Sequence, residues 1–280
     1  MTTKVAILGT GKMGGAMARR LAASDLDVIL WNRTLDRAQA LQLGRVAATP
    51  AEAVRDAQLI ISSLTNDSAI RGVYLGDDGA FENGNGKLFI EMSTAGPDVI
   101  EELGHEALAR GAHLLESPVV GSVPAVESGK LLILVAGDRE DLDQALPVLE
   151  HLGDVLFVGQ RGNAQRLKLI ANSMLGITTA GAAELFAAGA AAGLERKQVF
   201  SILLRFAPGL GARERGFLED QHTPTMFAVR DLVKDLDLAL HTYGDTADAM
   251  PLTRAARERF AATMADAPDL DISAIASSHH

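Results

Sequence analysis

Two groups of residues in this chain have types and spacings that could do chemistry. Near the start, Gly9-Thr10-Gly11-Lys12-Met13-Gly14 sets three glycines in a Gly-x-Gly-x-x-Gly pattern. One glycine permits a tight strand-to-helix turn, the second lets the backbone approach a pyrophosphate, and the third lets helix and strand pack closely. Free amides at the helix N-terminus then face the anion. The pattern by itself also fits an ordinary glycine turn. Here it follows the apolar run Lys4-Val5-Ala6-Ile7-Leu8 and precedes an alanine-rich helical stretch, which selects a dinucleotide site. The second group is Lys168 with Asn172 four residues on, a spacing that puts both on one helical face. A nicotinamide carries a hydride, so the protein must position a substrate carbon and handle one proton. A lysine in a partly closed pocket beside a cationic ring has its charged form disfavoured and can trade that proton. Spacing alone leaves a surface lysine next to an amide equally open. The histidines at 105, 113, 151, 222 and 241 fall in helical or strand stretches with no adjacent partner motif, and are read as structural or surface groups.

The elements that must position these groups follow from the pattern of apolar residues. Short β-type runs at residues 4–8, 27–31, 45–47, 59–62, 87–91, 113–116, 131–136 and 155–158 alternate with helical patterns such as 50–56, 97–110 and 139–149. Such alternation predicts βαβ units around a parallel sheet. Asp77-Asp78-Gly79 and Asn83-Gly84-Asn85-Gly86 bracket a loop. After Gly162 no strand-like run appears, and helical patterns fit 164–193, 197–206, 212–220, 226–243 and 251–264. The expected fold is α/β: an N-terminal Rossmann-type doubly wound sheet over residues 1–162, binding the dinucleotide, then an all-α substrate and oligomerisation domain over 163–280. The helix at 164–193 carries Ala and Gly on several faces, which expose backbone unless covered. Self-association is therefore expected.

The turn after the second strand selects the dinucleotide. A carboxylate at that strand end would bind the adenosine ribose of NAD. This chain instead has Leu30-Trp31-Asn32-Arg33-Thr34, where Arg33 offers a guanidinium and Asn32 and Thr34 offer neutral polar groups. That set suits the 2′-phosphate of NADP, so NADPH is expected over NADH.

Composition excludes other classes. No uninterrupted apolar run approaches the ~20 residues of a membrane span, so a soluble protein with no membrane partner is expected. The start, Met-Thr-Thr-Lys, runs directly into the first strand, and no signal peptide is expected in front of it. Cysteine is absent, which removes disulfides, thiolate nucleophiles and cysteine metal sites and fits a cytoplasmic location. A net charge of -10 argues against nucleic acid as a partner. His279 and His280 follow Ser277-Ser278 as a tag remnant would, and receive no metal role.

Over nearly its whole length the chain resembles the β-hydroxyacid dehydrogenase family, the group of 3-hydroxyisobutyrate dehydrogenase, tartronate semialdehyde reductase and glyoxylate/succinic semialdehyde reductase. The family's opening pattern is similar to residues 9–18, including Met13 before the third glycine and the later Met17-Ala18. Its Ser-Thr cofactor element is matched by Met92-Ser93-Thr94 with Pro97 following, and its Asp-Ala-Pro-Val-Ser-Gly-Gly loop by Glu116-Ser117-Pro118-Val119-Val120-Gly121-Ser122. Its catalytic lysine and following asparagine are matched by Lys168 and Asn172, and its Lys-Asp-Leu-x-Leu-Ala segment by residues 234–239.

The resemblance implies Lys168 as general acid in reduction and general base in oxidation, with Asn172 orienting the substrate. It implies that Gly121 and Ser122 hold a substrate carboxylate, that Thr94 and Lys234 contact the nicotinamide end, and that Leu64 and Thr65 line the cofactor turn. For Lys234, an ordinary charge pair with Asp235 is the competing reading. It further implies a homodimer or homotetramer. Ser122 and the Asn32-Arg33-Thr34 turn look like the glyoxylate/succinic semialdehyde reductase branch. Val120, where the family has serine, departs from that branch and from the family, and leaves the substrate open. Two other readings are carried: imine reduction and a non-catalytic NADP-binding scaffold. Relatives of both kinds generally lack the lysine, so Lys168 counts against them.

Overall fold

The computed structural model describes residues 3–244 and 250–277 of the chain. The expectation for His279 and His280 lies outside the described residues. Strands β1 (Lys4–Leu8), β2 (Asp27–Trp31), β3 (Arg45–Val46), β4 (Leu59–Ser62), β5 (Leu88–Glu91) and β6 (His113–Glu116) form one parallel sheet in the order β3-β2-β1-β4-β5-β6. The order reverses between β1 and β4, the position at whose carboxyl edge doubly wound sheets bind ligands. The strands read as continuous apolar runs because both sheet faces are covered. Val5, Ile7, Leu30, Ile61 and Ile90 pack on one side, and Ala6, Leu8, Ile60 and Phe89 on the other. Pro50 and Pro97 open their helices at positions where a missing N–H costs nothing.

The last expected strands lie in a separate sheet. There β7 (Val119–Val120) runs antiparallel to β8 (Leu131–Val135), which runs parallel to β9 (Gly153–Phe157). The cause is local. Ser117 N still donates to Glu91 O, extending the β5-β6 edge, but Pro118 has no N–H to continue the ladder. Its carbonyl instead accepts from Leu134 N in β8. Helices Leu35–Gln39, Asp67–Leu75 and Val123–Glu127 and the 3-10 turn Ala80–Asn83 add to the expected set.

The chain divides into two compact units, Met1–Lys168 and Leu169–His280. The division falls inside the helix Asn163–Ala191, later than the point where strands cease. By length and composition this helix is apolar enough to cross a membrane, with mean hydropathy 1.3 over one 18-residue window. The second unit is built on helices Arg196–Phe206, Glu214–Glu219, Val229–Tyr243 and Pro251–Met264. Its core contains an aromatic cluster: Phe186 and Phe200 lie 5.4 and 5.3 Å from the Phe217 ring, and such pairs add about 0.5–1.5 kcal/mol beyond area burial. The helix expected from 226 begins at Val229, because Met226 N and Phe227 N donate to the Asp271 carboxylate at 3.2 and 3.0 Å.

Candidate functional site

The glycine loop joins β1 to the helix Lys12–Ala22. Gly9 has φ +96°, and a Cβ there would lie 2.4 Å from the Ser63 carbonyl oxygen; at Gly14 it would lie 2.0 Å from the Gly9 carbonyl oxygen. Neither position admits a side chain. A Cβ at Gly11 would meet nothing within 4 Å, so the turn's backbone is open where an anion would approach. Thr10 is buried, and its Oγ1 has no hydrogen-bond partner among the described residues. An open helix start beside an unsatisfied hydroxyl fits a dinucleotide phosphate. Lys12 is exposed, and Met13 packs against the core.

Asn32 braces this loop from the end of β2. Its Oδ1 accepts from Thr10 N at 3.1 Å and its Nδ2 donates to Thr34 O at 2.9 Å. With that side chain committed, the cation offered outward is the exposed Arg33, beside the exposed Thr34.

The turns after β4 and β5 are locked together. Leu64 N donates to Ser93 Oγ at 2.7 Å, and Ser93 N donates to Glu91 Oε1 at 2.7 Å. The other oxygen of Glu91 accepts from Ser62 Oγ at 2.6 Å, and Ser62 Oγ meets Tyr74 Oη at 2.6 Å. Burial pushes the Glu91 carboxyl up, while the Ser62 and Ser93 hydrogen bonds oppose it. Burial, then the Glu91 charge, pushes the Tyr74 phenol well up. Leu64 and Thr94 are half-buried at these turns and Thr65 is exposed. Glu91, Ser62 and Tyr74 escaped the sequence reading, since each sits in an otherwise apolar run.

Lys168 is 9% exposed, one turn into the helix Asn163–Ala191. The start of that helix is held by Glu116, whose carboxylate accepts from Gly162 N at 2.5 Å and from Gln165 N. Burial pushes the Glu116 carboxyl up, against the pull of those backbone amides. Gln165 reaches the Thr94 loop: its Oε1 accepts from Ala95 N at 3.1 Å and its Nε2 donates to Ser93 O at 2.9 Å. Gly121 is exposed with φ +136°, and a Cβ would sit 2.8 Å from Leu131 Cδ2. Ser122 is half-buried at the start of Val123–Glu127 and makes no side-chain capping bond. Val120 packs with Leu134, Ala136 and Ala164, so an apolar contact stands at this position of the loop.

In the second unit, Asn172 Nδ2 donates to Asp235 Oδ2 at 2.5 Å. Lys234 Nζ lies 2.9 Å from Asp235 Oδ1, an ion-pair contact without hydrogen-bond alignment. The charge pair weighed for Lys234 is therefore present, and its carboxylate is 2% exposed and shared with Asn172. Asp235 thus joins two residues selected separately from sequence.

Comparison with known proteins gives two family matches. Residues 4–159 match the NAD binding domain of 6-phosphogluconate dehydrogenase, and residues 162–278 the NAD-binding region of NADP-dependent 3-hydroxyisobutyrate dehydrogenase. The chain is 31% identical to glyoxylate/succinic semialdehyde reductase 1 of Arabidopsis thaliana, covering 97% of this chain and 96% of that protein. It is 32% identical to 3-hydroxyisobutyrate dehydrogenase of Pseudomonas aeruginosa, covering 98% and 97%. It also matches cytokine-like nuclear factor N-PAC of Anopheles gambiae, of whose length it spans 46%. Among solved structures, Mycobacterium tuberculosis 3-hydroxyisobutyrate dehydrogenase with L-serine superposes with a TM-score of 0.85 at 27% identity, over 99% of both chains.

Proposed function

The chain belongs to the β-hydroxyacid dehydrogenase family, and from that premise we propose that it interconverts a small aldehyde or keto acid and its hydroxy acid, using NADPH in preference to NADH. The observation that carries the reading is the buried Lys168, on a helix whose first turn is fastened to the loop around Thr94. A bound nicotinamide supplies or accepts the hydride. Lys168 donates a proton to the substrate oxygen in reduction and removes it in oxidation. Asn172, with its amide nitrogen committed to Asp235, keeps its carbonyl oxygen in a defined orientation toward its surroundings. The Gly121 backbone and the Ser122 hydroxyl are assigned to a substrate carboxylate. Val120 removes one donor from that set, which favours a substrate needing fewer hydrogen bonds there. Thr94 and Lys234 are assigned to the nicotinamide end.

Preference for NADPH is supported by Arg33 and by the lack of a carboxylate in Asn32-Arg33-Thr34. Self-association as a dimer or tetramer is part of the proposal. The test is a panel of glyoxylate, succinic semialdehyde, tartronate semialdehyde, 3-hydroxyisobutyrate, serine and a cyclic imine, each with both cofactors. The expected result is turnover of at least one aldehyde or hydroxy acid, with kcat/KM for NADPH at least about tenfold above NADH, worth ~1.4 kcal/mol. Turnover of the imine alone, or equal use of both cofactors, would refute the corresponding part.

A further inference from the structure

Gln165 is fully buried in the first turn of the helix Asn163–Ala191. With one hydrogen bond to Ala95 N and one to Ser93 O, its side chain completes backbone pairing on both sides of Thr94, as an adjacent strand would. The main-chain N–H of the same residue is given to Glu116, at the end of β6. Glu116 is paired in register with Glu91 of β5, the strand that feeds the Ser93–Ala95 turn. The helix start is thus fastened twice, to the end of β6 through Glu116 and to the turn after β5 through Gln165. Lys168 stands three residues on, a neighbour of Gln165 on the helix surface. At a rise of about 1.5 Å per residue, Lys168 lies about 4.5 Å along the helix axis from Gln165.

We propose that Gln165 is a positioning residue: it sets the register between the Thr94 turn and Lys168, and so places the lysine amine for proton transfer without touching substrate or cofactor. The inference rests on the reading of Lys168 as proton donor and adds a residue to it. Glu116 cannot substitute, because its bonds fix the helix backbone to the end of β6 and make no contact with Ser93 O or Ala95 N. Displacing a reacting group by about 1 Å can cost roughly a hundredfold in rate.

The test compares the full-length chain with Gln165→Leu, which keeps the volume and removes both side-chain bonds, and Gln165→Asn, which keeps the amide one carbon short. Competitive labelling with acetic anhydride, resolved by peptide mass spectrometry across the range in which lysines titrate, reads the Lys168 amine without any turnover. NADPH binding by fluorescence and turnover of a substrate found in the panel are measured alongside. In Gln165→Leu the labelling profile of Lys168 is expected to shift while Lys4 and Lys130 stay as in wild type. Turnover per NADPH-binding site is expected to fall by about 10- to 100-fold, with NADPH affinity held within about threefold. Gln165→Asn should lie between the two. An unchanged Lys168 profile with unchanged turnover per binding site would overturn the proposal, as would loss of the folded state in both variants, which would make the role purely structural. Lys168→Ala separates the two layers. If it keeps full turnover, the proton-donor reading fails, while the labelling result still decides whether Gln165 places the amine.

Discussion

Glu91 and Glu116 of the first unit and Asp235 and Asp271 of the second are buried among different partners. In the first, Glu91 and Glu116 are met by hydroxyl and backbone N–H groups from Ser62, Ser93, Gly162 and Gln165. In the second, Asp235 and Asp271 are met by the cations Lys234 and Arg213. The first arrangement shapes backbone: it fixes the turns after β4 and β5 and the start of the helix that carries Lys168. Burial pushes both glutamates up from the ordinary carboxylate range, against the hydrogen bonds they accept. The second arrangement depends on charge. Asp271 accepts from Arg213 Nε and Ser273 N on one oxygen and from Met226 N and Phe227 N on the other, so both oxygens act as acceptors.

Neutralising one member of each set should separate the two designs. Asp271→Asn turns an amide nitrogen toward N–H donors and leaves Arg213 without its partner, and is expected to cost about 3–5 kcal/mol, read from the urea midpoint. Glu91→Gln keeps an oxygen for Ser93 N and offers an amide to Ser62, and should change stability by no more than about 1 kcal/mol. Similar losses in the two variants would erase the distinction.

A smaller effect concerns pH. His222 is half-buried between Ser273 Oγ at 3.0 Å and Ser277 Oγ at 2.9 Å, and burial pulls its pKa below 6.5. The unfolded chain therefore takes up the proton first. The stability His222 contributes is complete above the unfolded value and is lost as pH falls through it toward the folded one. The glutamates of the first unit run the other way, stabilising at acid pH and losing that as pH rises through their raised values. On going from neutral to mildly acid pH, the change in thermal midpoint should be more negative in wild type than in His222→Gln. Equal slopes in the two proteins would remove His222 from the account.

Much of this site was legible because its signals are local. The glycine loop carries its own strand and helix, while helical spacing only puts Lys168 and Asn172 on one face and the family resemblance assigns their roles. What escaped is carried by long-range contacts. Gln165 meets residues 70 and 72 positions away, and Asn172 meets Asp235 across 63. Neither type nor spacing announces such a bond. Val119–Val120 is too short a strand for any periodicity, and Asn32, chosen as a cofactor contact, braces Thr10 because only folding brings the two together.

The most direct test of the central claim is the turnover of Lys168→Ala beside its affinity for NADPH. Loss of a positioned proton donor predicts a fall in kcat of about a thousandfold, with the dissociation constant for NADPH held within about threefold. Turnover within about tenfold of wild type, or loss of NADPH binding in step with turnover, would contradict it.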